Sequence, residues 1–176
     1  PTRVAPGGSG TIDLDDRTFT LDVPSSYDDA EPAALIVSLH GYSEVGESTA
    51  TYLGLRDQSE EKGYLLAYPE GLVDRAGKQY WNATGACCSF DGVDPDDDGF
   101  LTSVIETIQA QYAVDAKRVF VIGHSNGAFM ALRMVCHHSD LIAAAVSVAG
   151  ENDVDPSACA PGQPVSVLQV QADTDE

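Results

Sequence analysis

Apolar and polar positions alternate through GTIDLDDRTFTLDVP, residues 10–24, around the acidic pair Asp15–Asp16. A period of two broken by two turn-forming acids predicts a β-hairpin. The next pattern is different. AALIVSLHG (33–41), YLLAYPEG (64–71), RVFVIGHS (118–125), LIAAAVSVAG (141–150) and PVSVLQVQ (164–171) are near-continuous apolar runs. Such runs suit strands buried on both faces, as in a parallel sheet. Helical periodicity fills the gaps, roughly over 49–62, 100–111 and 127–137. Strands alternating with helices predict a single α/β domain over residues 1–176, with a mostly parallel sheet flanked by helices. Ligands in such sheets bind beyond the carboxyl ends of the strands. His40, Ser125 and Asp175 all fall just past predicted strand ends.

Residues 71–99 carry little periodicity. They hold Trp81, the pair Cys87–Cys88 and a cluster of aspartates. An irregular segment of this length in a compact domain is usually functional, and it is expected to be an ordered wall of the site.

The most specific chemistry lies in GHSNG, Gly123 to Gly127. It fits the nucleophile elbow G-x-S-x-G, and its context (apolar VFVI before, helical GAFMALRM after) matches the strand–turn–helix that the motif requires. Such a turn exposes Ser125 at its apex. The glycines two residues either side allow strand and helix to approach closely. The helix start turns its amides and dipole toward a developing oxyanion. A second oxyanion donor is expected from the loop after the first buried parallel strand, LHGYSE. The candidate donors are therefore the backbone amides of Tyr42 and Asn126, and Gly41 is expected to let that loop approach the substrate.

None of the four histidines reads as the general base. His40 heads the oxyanion loop, where packing and hydrogen bonding beneath the loop are expected, on the substrate side with Trp81. His124 is the variable residue of the elbow and points away from the hydroxyl. His137 and His138 end the following helix, where a cation favours the dipole, and neighbours on a helix share no face.

Composition narrows the partners. Nine basic against 28 acidic residues give a net charge of −19, which repels nucleic acid and anionic membranes. The longest apolar run, Leu141 to Val148, is too short to cross a bilayer. The chain opens at Pro1 without Met, so any signal peptide is expected to have been removed or left out. Four cysteines, Cys87, Cys88, Cys136 and Cys159, form an even set without the spacing of a zinc site. Adjacent cysteines seldom bridge each other. Cys87 and Cys88 are therefore each expected to pair with one of Cys136 and Cys159, in either arrangement, which points to a secreted protein.

With these motifs in order, the chain resembles the secreted esterases that group polyhydroxybutyrate-depolymerase-like proteins with feruloyl and acetylxylan esterases (carbohydrate esterase family one, of the α/β-hydrolase fold). The resemblance runs from the oxyanion strand and loop LIVSLHGYSE through YWNATGACCSFDGVDPDDDGF and the elbow region RVFVIGHSNGAFMALRMVCHHSDLIAAAVSVAG to the acid strand PVSVLQVQADTDE. It implies Ser125 as nucleophile, Tyr42 and Asn126 as oxyanion donors, Trp81 beside the acyl or sugar pocket, and no cofactor. It also implies Asp175 as the triad acid, with Asp173 as the alternative. The family usually has His-Gly-Thr-x-Asp here, and Gln171, Ala172 and Asp173 replace its first three residues.

Relatives continue through a last strand and helix that carry the catalytic histidine. That imidazole is expected from polypeptide beyond Glu176 or from a partner protomer. Otherwise the chain is an inactive carbohydrate or polymer binder. The implied activity is hydrolysis of feruloyl-type or other plant-cell-wall esters, with polyhydroxyalkanoate, short polyester or acetylxylan as alternatives.

DPDDDG, Asp94 to Gly99, matches the first half of a calcium loop through Asp94, Asp96 and Asp98, but position twelve is Ile105. Helix capping is the favoured reading, and no metal is expected.

Overall fold

The computed structural model describes residues 3–85, 87–89, 91–153 and 155–173. The predicted hairpin is β1 (Gly8–Leu14) and β2 (Arg17–Val23), antiparallel and in register from Gly8–Val23 to Leu14–Arg17. The apolar runs become β3 (Ala33–Leu39), β4 (Leu65–Pro69), β7 (Val114–His124), β8 (Ala144–Val148) and β9 (Ser166–Val170). All seven strands join one sheet in the order β1-β2-β4-β3-β7-β8-β9, parallel from β4 to β9. β5 (Leu72–Val73) and β6 (Gln79–Tyr80) form a separate small hairpin.

Side-chain alternation along the strands sorts the helices onto two faces. Leu35, Val37 and Leu39 of β3, with Leu65 and Ala67 of β4, join the main core. There they meet α3 (Asp97–Gln111) through Leu101, Val104, Ile105 and Ile108, and α4 (Asn126–His137) through Met130, Ala131 and Met134. Leu66 and Tyr68 point the other way and pack with Ala50, Ile36, Leu55 and Tyr64 beside α1 (Gly46–Tyr52) and α2 (Leu55–Lys62). The fold is that of an α/β hydrolase. The expected single helix over 49–62 is two, because Gly54 adopts φ 69° and breaks the helical backbone between them.

The expected cysteine pairing is overturned. The disulfides are Cys87–Cys88, across a cis peptide bond, and Cys136–Cys159. Tertiary structure decides this: the last turn of α4 and the loop after Pro156–Ala158 bring the Cα atoms of Cys136 and Cys159 to 4.7 Å, which commits those two to each other.

The aspartate cluster is committed to protein partners. The Asp96 side chain caps α3 by accepting from the Gly99 amide at 2.8 Å. Asp94 accepts from Asn82 Nδ2 at 2.7 Å, and Asp98 from Arg133 Nε and His137. Among the described residues no three His, Cys, Asp or Glu side chains cluster to hold a metal ion.

Asp97 is buried and joins the hairpin to α3. It accepts from Arg17 Nη1 at 2.5 Å and from the Asn82 amide at 2.7 Å. Arg17 also donates to Glu70 O and lies 3.7 Å over the Phe100 ring. Removing one partner of a buried ion pair strands the other charge. Asp97→Ala is therefore expected to lower the unfolding free energy by about 3–5 kcal/mol, read from urea denaturation midpoints.

Candidate active site

Ser125 stands between the end of β7 and the start of α4 with φ 51° and ψ −122°. A non-glycine residue in that region costs on the order of 1–3 kcal/mol, so the surroundings must enforce it. They do so by close packing. A Cβ on Gly123 would lie 2.0 Å from Gly127 O, and one on Gly127 would lie 2.2 Å from Leu39 O. No larger residue fits either place. The Ser125 amide donates to Val148 O at 2.8 Å, which ties the turn to the end of β8. The Ser125 side chain is half-buried and makes no capping hydrogen bond to the helix it precedes. The first amides of a helix have no intrahelical acceptor, and that of Asn126 is the first of α4.

Leu39 pairs with Gly123 in adjacent parallel strands. The loop after β3 and the elbow after β7 therefore leave the sheet side by side, about 4.8 Å apart. That loop is held from several directions. His40 Nε2 accepts from the Gly71 amide at 2.9 Å, so the proton resides on Nδ1, which donates to Gly41 O at 2.8 Å. The Glu44 amide donates to the same oxygen at 3.2 Å. The Ser43 amide donates to Gln79 O, and the Tyr42 hydroxyl to Asp74 Oδ2 at 2.6 Å, which fastens the loop to the β5–β6 hairpin. In a trans peptide the N–H points opposite the C=O. Fixing Gly41 O therefore fixes the direction of the Tyr42 amide.

Both residues proposed for the substrate side lie beneath the loop: His40 packs and hydrogen-bonds there as expected, and Trp81 is buried with it rather than beside a pocket. Trp81 and His40 are both 0% exposed. Trp81 Nε1 donates to His40 O at 3.0 Å, and the two rings lie 4.9 Å apart. The Asn126 side chain, also buried, pairs with the Trp81 backbone: Oδ1 accepts its amide at 2.7 Å, and Nδ2 donates to its carbonyl at 2.9 Å. Segment 71–99 is ordered by such bonds rather than by disulfides reaching to other elements. A wet, half-exposed indole would line a pocket; this one has its only polar atom satisfied inside the core.

Of the other expected residues, Asp175 lies outside the described residues. Asp173 follows β9, a strand exposed throughout its length. His137 is bound to Asp98 at the far end of α4, about 18 Å of helix from Ser125. His124 turns toward Glu44, with Nδ1 3.5 Å from Oε2, and its ring lies 5.7 Å from that of Tyr52. Glu44 was not singled out in the sequence. Burial pushes its carboxyl up, but the Gly41 amide, the Thr49 hydroxyl and His124 together hold it below the usual carboxylate value. A cleft of about 360 Å³ opens on the α1–α2 side, lined by residues including Asp22, Arg56, Asp57 and Glu60, and contains neither Ser125 nor Tyr42.

Comparison with known proteins agrees with this geometry. Residues 96–171 match the prolyl oligopeptidase family. The chain is 32% identical over 148 residues to "Putative esterase NocK" of Nocardia uniformis subsp. tsuyamanensis, a match covering 84% of this chain and 41% of that protein. It is 29% identical over 121 residues to feruloyl esterase B of Neurospora crassa, covering 69% and 40%. An acetyl xylan esterase from Aspergillus awamori superposes with a TM-score of 0.64 at 21% identity, covering 80% of this chain and 51% of that one. The chain thus spans about two-fifths of the curated relatives' length. The chain has the α/β-hydrolase fold. The curated proteins it is similar to are named as esterases, feruloyl and acetylxylan esterases among them.

Two outcomes follow from the packing. Gly127→Ala is expected to unfold or severely destabilise the elbow, lowering the melting temperature measured by circular dichroism, because a backbone carbonyl occupies the space of the new methyl. Burial lowers the His40 pKa from the ordinary 6.5, although its bond to Gly41 O opposes this. A base with a depressed folded pKa stabilises the fold above its unfolded value, and that contribution is lost as pH falls through the folded one. Urea midpoints of the wild type should therefore decline below about pH 6.5, and His40→Gln should remove that part of the slope.

Proposed function

We propose that this chain carries the nucleophile and oxyanion half of a secreted serine ester hydrolase working through an acyl-enzyme. The observation that carries the reading is Ser125: a half-exposed hydroxyl on a strained turn that only two flanking glycines permit. Its Oγ attacks the ester carbonyl while an imidazole takes the proton. The amides of Tyr42 and Asn126 stabilise the oxyanion. Collapse of the tetrahedral species expels the alcohol, protonated by the imidazolium, and water then releases the acid by the reverse exchange.

The imidazole comes from polypeptide outside these 176 residues, and Asp175, or failing it Asp173, orients it. Support comes from the histidines present. Both ring nitrogens of His40 are engaged, His137 is paired to Asp98, and His124 faces Glu44. The substrate is a feruloyl-type or other plant-cell-wall ester, in keeping with the names of the relatives, with acetylxylan or a short polyester as alternatives. Secretion is supported by the Cys136–Cys159 disulfide, and no helix among the described residues is long and apolar enough to cross a membrane.

A fluorophosphonate probe tests the reading on the full-length protein. Labelling is expected in the wild type and absent in Ser125→Ala, with hydrolysis of p-nitrophenyl acetate falling by up to about 10⁶-fold. An unlabelled wild type would overturn the esterase reading and leave a carbohydrate or polymer binder.

A further inference from the structure

Glu44 makes three hydrogen bonds, two to Gly41 of the oxyanion loop and one to Thr49 of α1. Its Oε2 accepts from the Gly41 amide at 3.0 Å and from the Thr49 hydroxyl at 2.9 Å. Its own amide donates to Gly41 O. The same Oε2 lies 3.5 Å from His124 Nδ1, a buried atom with no hydrogen-bond partner, one residue from Ser125. The Glu44 side chain thus holds the N–H of Gly41 and lies against the elbow, while its main-chain amide holds the C=O of Gly41.

The grip matters because of what Gly41 is. Glycine rotates its flanking peptides at little steric cost, so a turn built on it has no intrinsic orientation. The Gly41 carbonyl and the Tyr42 amide share one peptide plane, and if that plane rotates the Tyr42 amide swings with it. Glycine at 41 also makes room for the carboxylate, since a Cβ there would sit 3.0 Å from Oε2. The small residue thus serves the Glu44 contact rather than close approach of substrate alone.

We infer that Glu44 is a positioning residue whose carboxylate, by holding the Gly41 N–H, fixes the His40–Gly41 peptide at the root of the loop and so the direction in which Gly41 carries the Tyr42 amide toward the oxyanion. The inference rests on the reading of Ser125 as nucleophile and adds to it a residue that touches no reacting atom. Both acceptor bonds fall on a single oxygen, so an amide oxygen in the same place can accept them. The negative charge is not what the loop needs. Aspartate, one methylene shorter, does not reach.

The test compares Glu44→Gln, Glu44→Ala and Glu44→Asp in the full-length protein. With p-nitrophenyl acetate, the alanine and aspartate variants should lose about 10²-fold in kcat, the scale of a 1 Å misplacement, while KM stays within about twofold. Glutamine should restore kcat to within about threefold of the wild type. A residue that merely supported α1 would lower the melting temperature and leave kcat intact. Unchanged kcat in the alanine variant, or a glutamine variant as slow as alanine, overturns the inference. Amide hydrogen exchange at Gly41, followed by NMR in a Ser125→Ala background, needs no catalysis. Exchange at least tenfold faster in Glu44→Ala but not in Glu44→Gln supports the lock even if the esterase reading fails, and unchanged exchange sinks it. Should the alanine variant not fold, the aspartate variant is read in its place.

Discussion

The site depends on how closely the first turn of α4 approaches the end of β3. Gly127 sits against the carbonyls of Leu39 and His40, and Gly123 against the carbonyl of Gly127, at distances that admit no side chain. This contact sets the spacing between the elbow and the loop after β3, because it joins the residue that closes the elbow to those that open the loop. The strained backbone of Ser125 follows from it. A chain that must leave β7 and enter α4 without lifting off the sheet has one tight way to turn, and the packing holds it there.

So close an approach of backbones buries polar groups, and buried polar groups need partners. The space beneath the turn is filled by a connected set. Asn126 pairs with both backbone groups of Trp81, the Trp81 indole donates to His40 O, and His40 bridges Gly71 and Gly41. Further out, Asp97 receives both Arg17 and the Asn82 amide. The segment after β6 is therefore part of the core, although it has hardly any regular structure. Its order comes from these bonds, which explains why an irregular stretch can hold the floor of a site in place.

Much of the fold is legible in the sequence. Doubly buried strands leave apolar runs, and a half-buried hairpin leaves alternation. GHSNG became specific once it was placed between such a strand and an amphipathic helix. What was illegible depends on partners distant in the chain. A lone tryptophan looks the same in a pocket or a core, and Trp81 is settled by Asn126 and by the carbonyl of His40, 45 and 41 residues away. The pairing of Cys136 with Cys159 depends on where a helix end meets a loop. The helical pattern of 49–62 runs unbroken through Gly54, whose left-handed backbone divides it. The contacts of Glu44 with Gly41 exist only after the loop curls back on itself, so no local sequence pattern marks the residue.

The arrangement also separates two tasks that are easily confused. An oxyanion cradle works best when its dipoles are fixed before the reaction and do not change during it. A general base must do the opposite, gaining and losing a proton in acylation and again in deacylation. His40 is unsuited to the second task for the reason that suits it to the first: burial holds it neutral, and each of its nitrogens is committed to a backbone group. If it gained a proton it would lose the Gly71 bond and release the loop it steadies. If the Tyr42 and Asn126 amides form the oxyanion cradle proposed above, its field comes from main-chain dipoles braced by groups that keep their protonation state. On the proposed reading, proton transfer would fall to an imidazole outside that lattice.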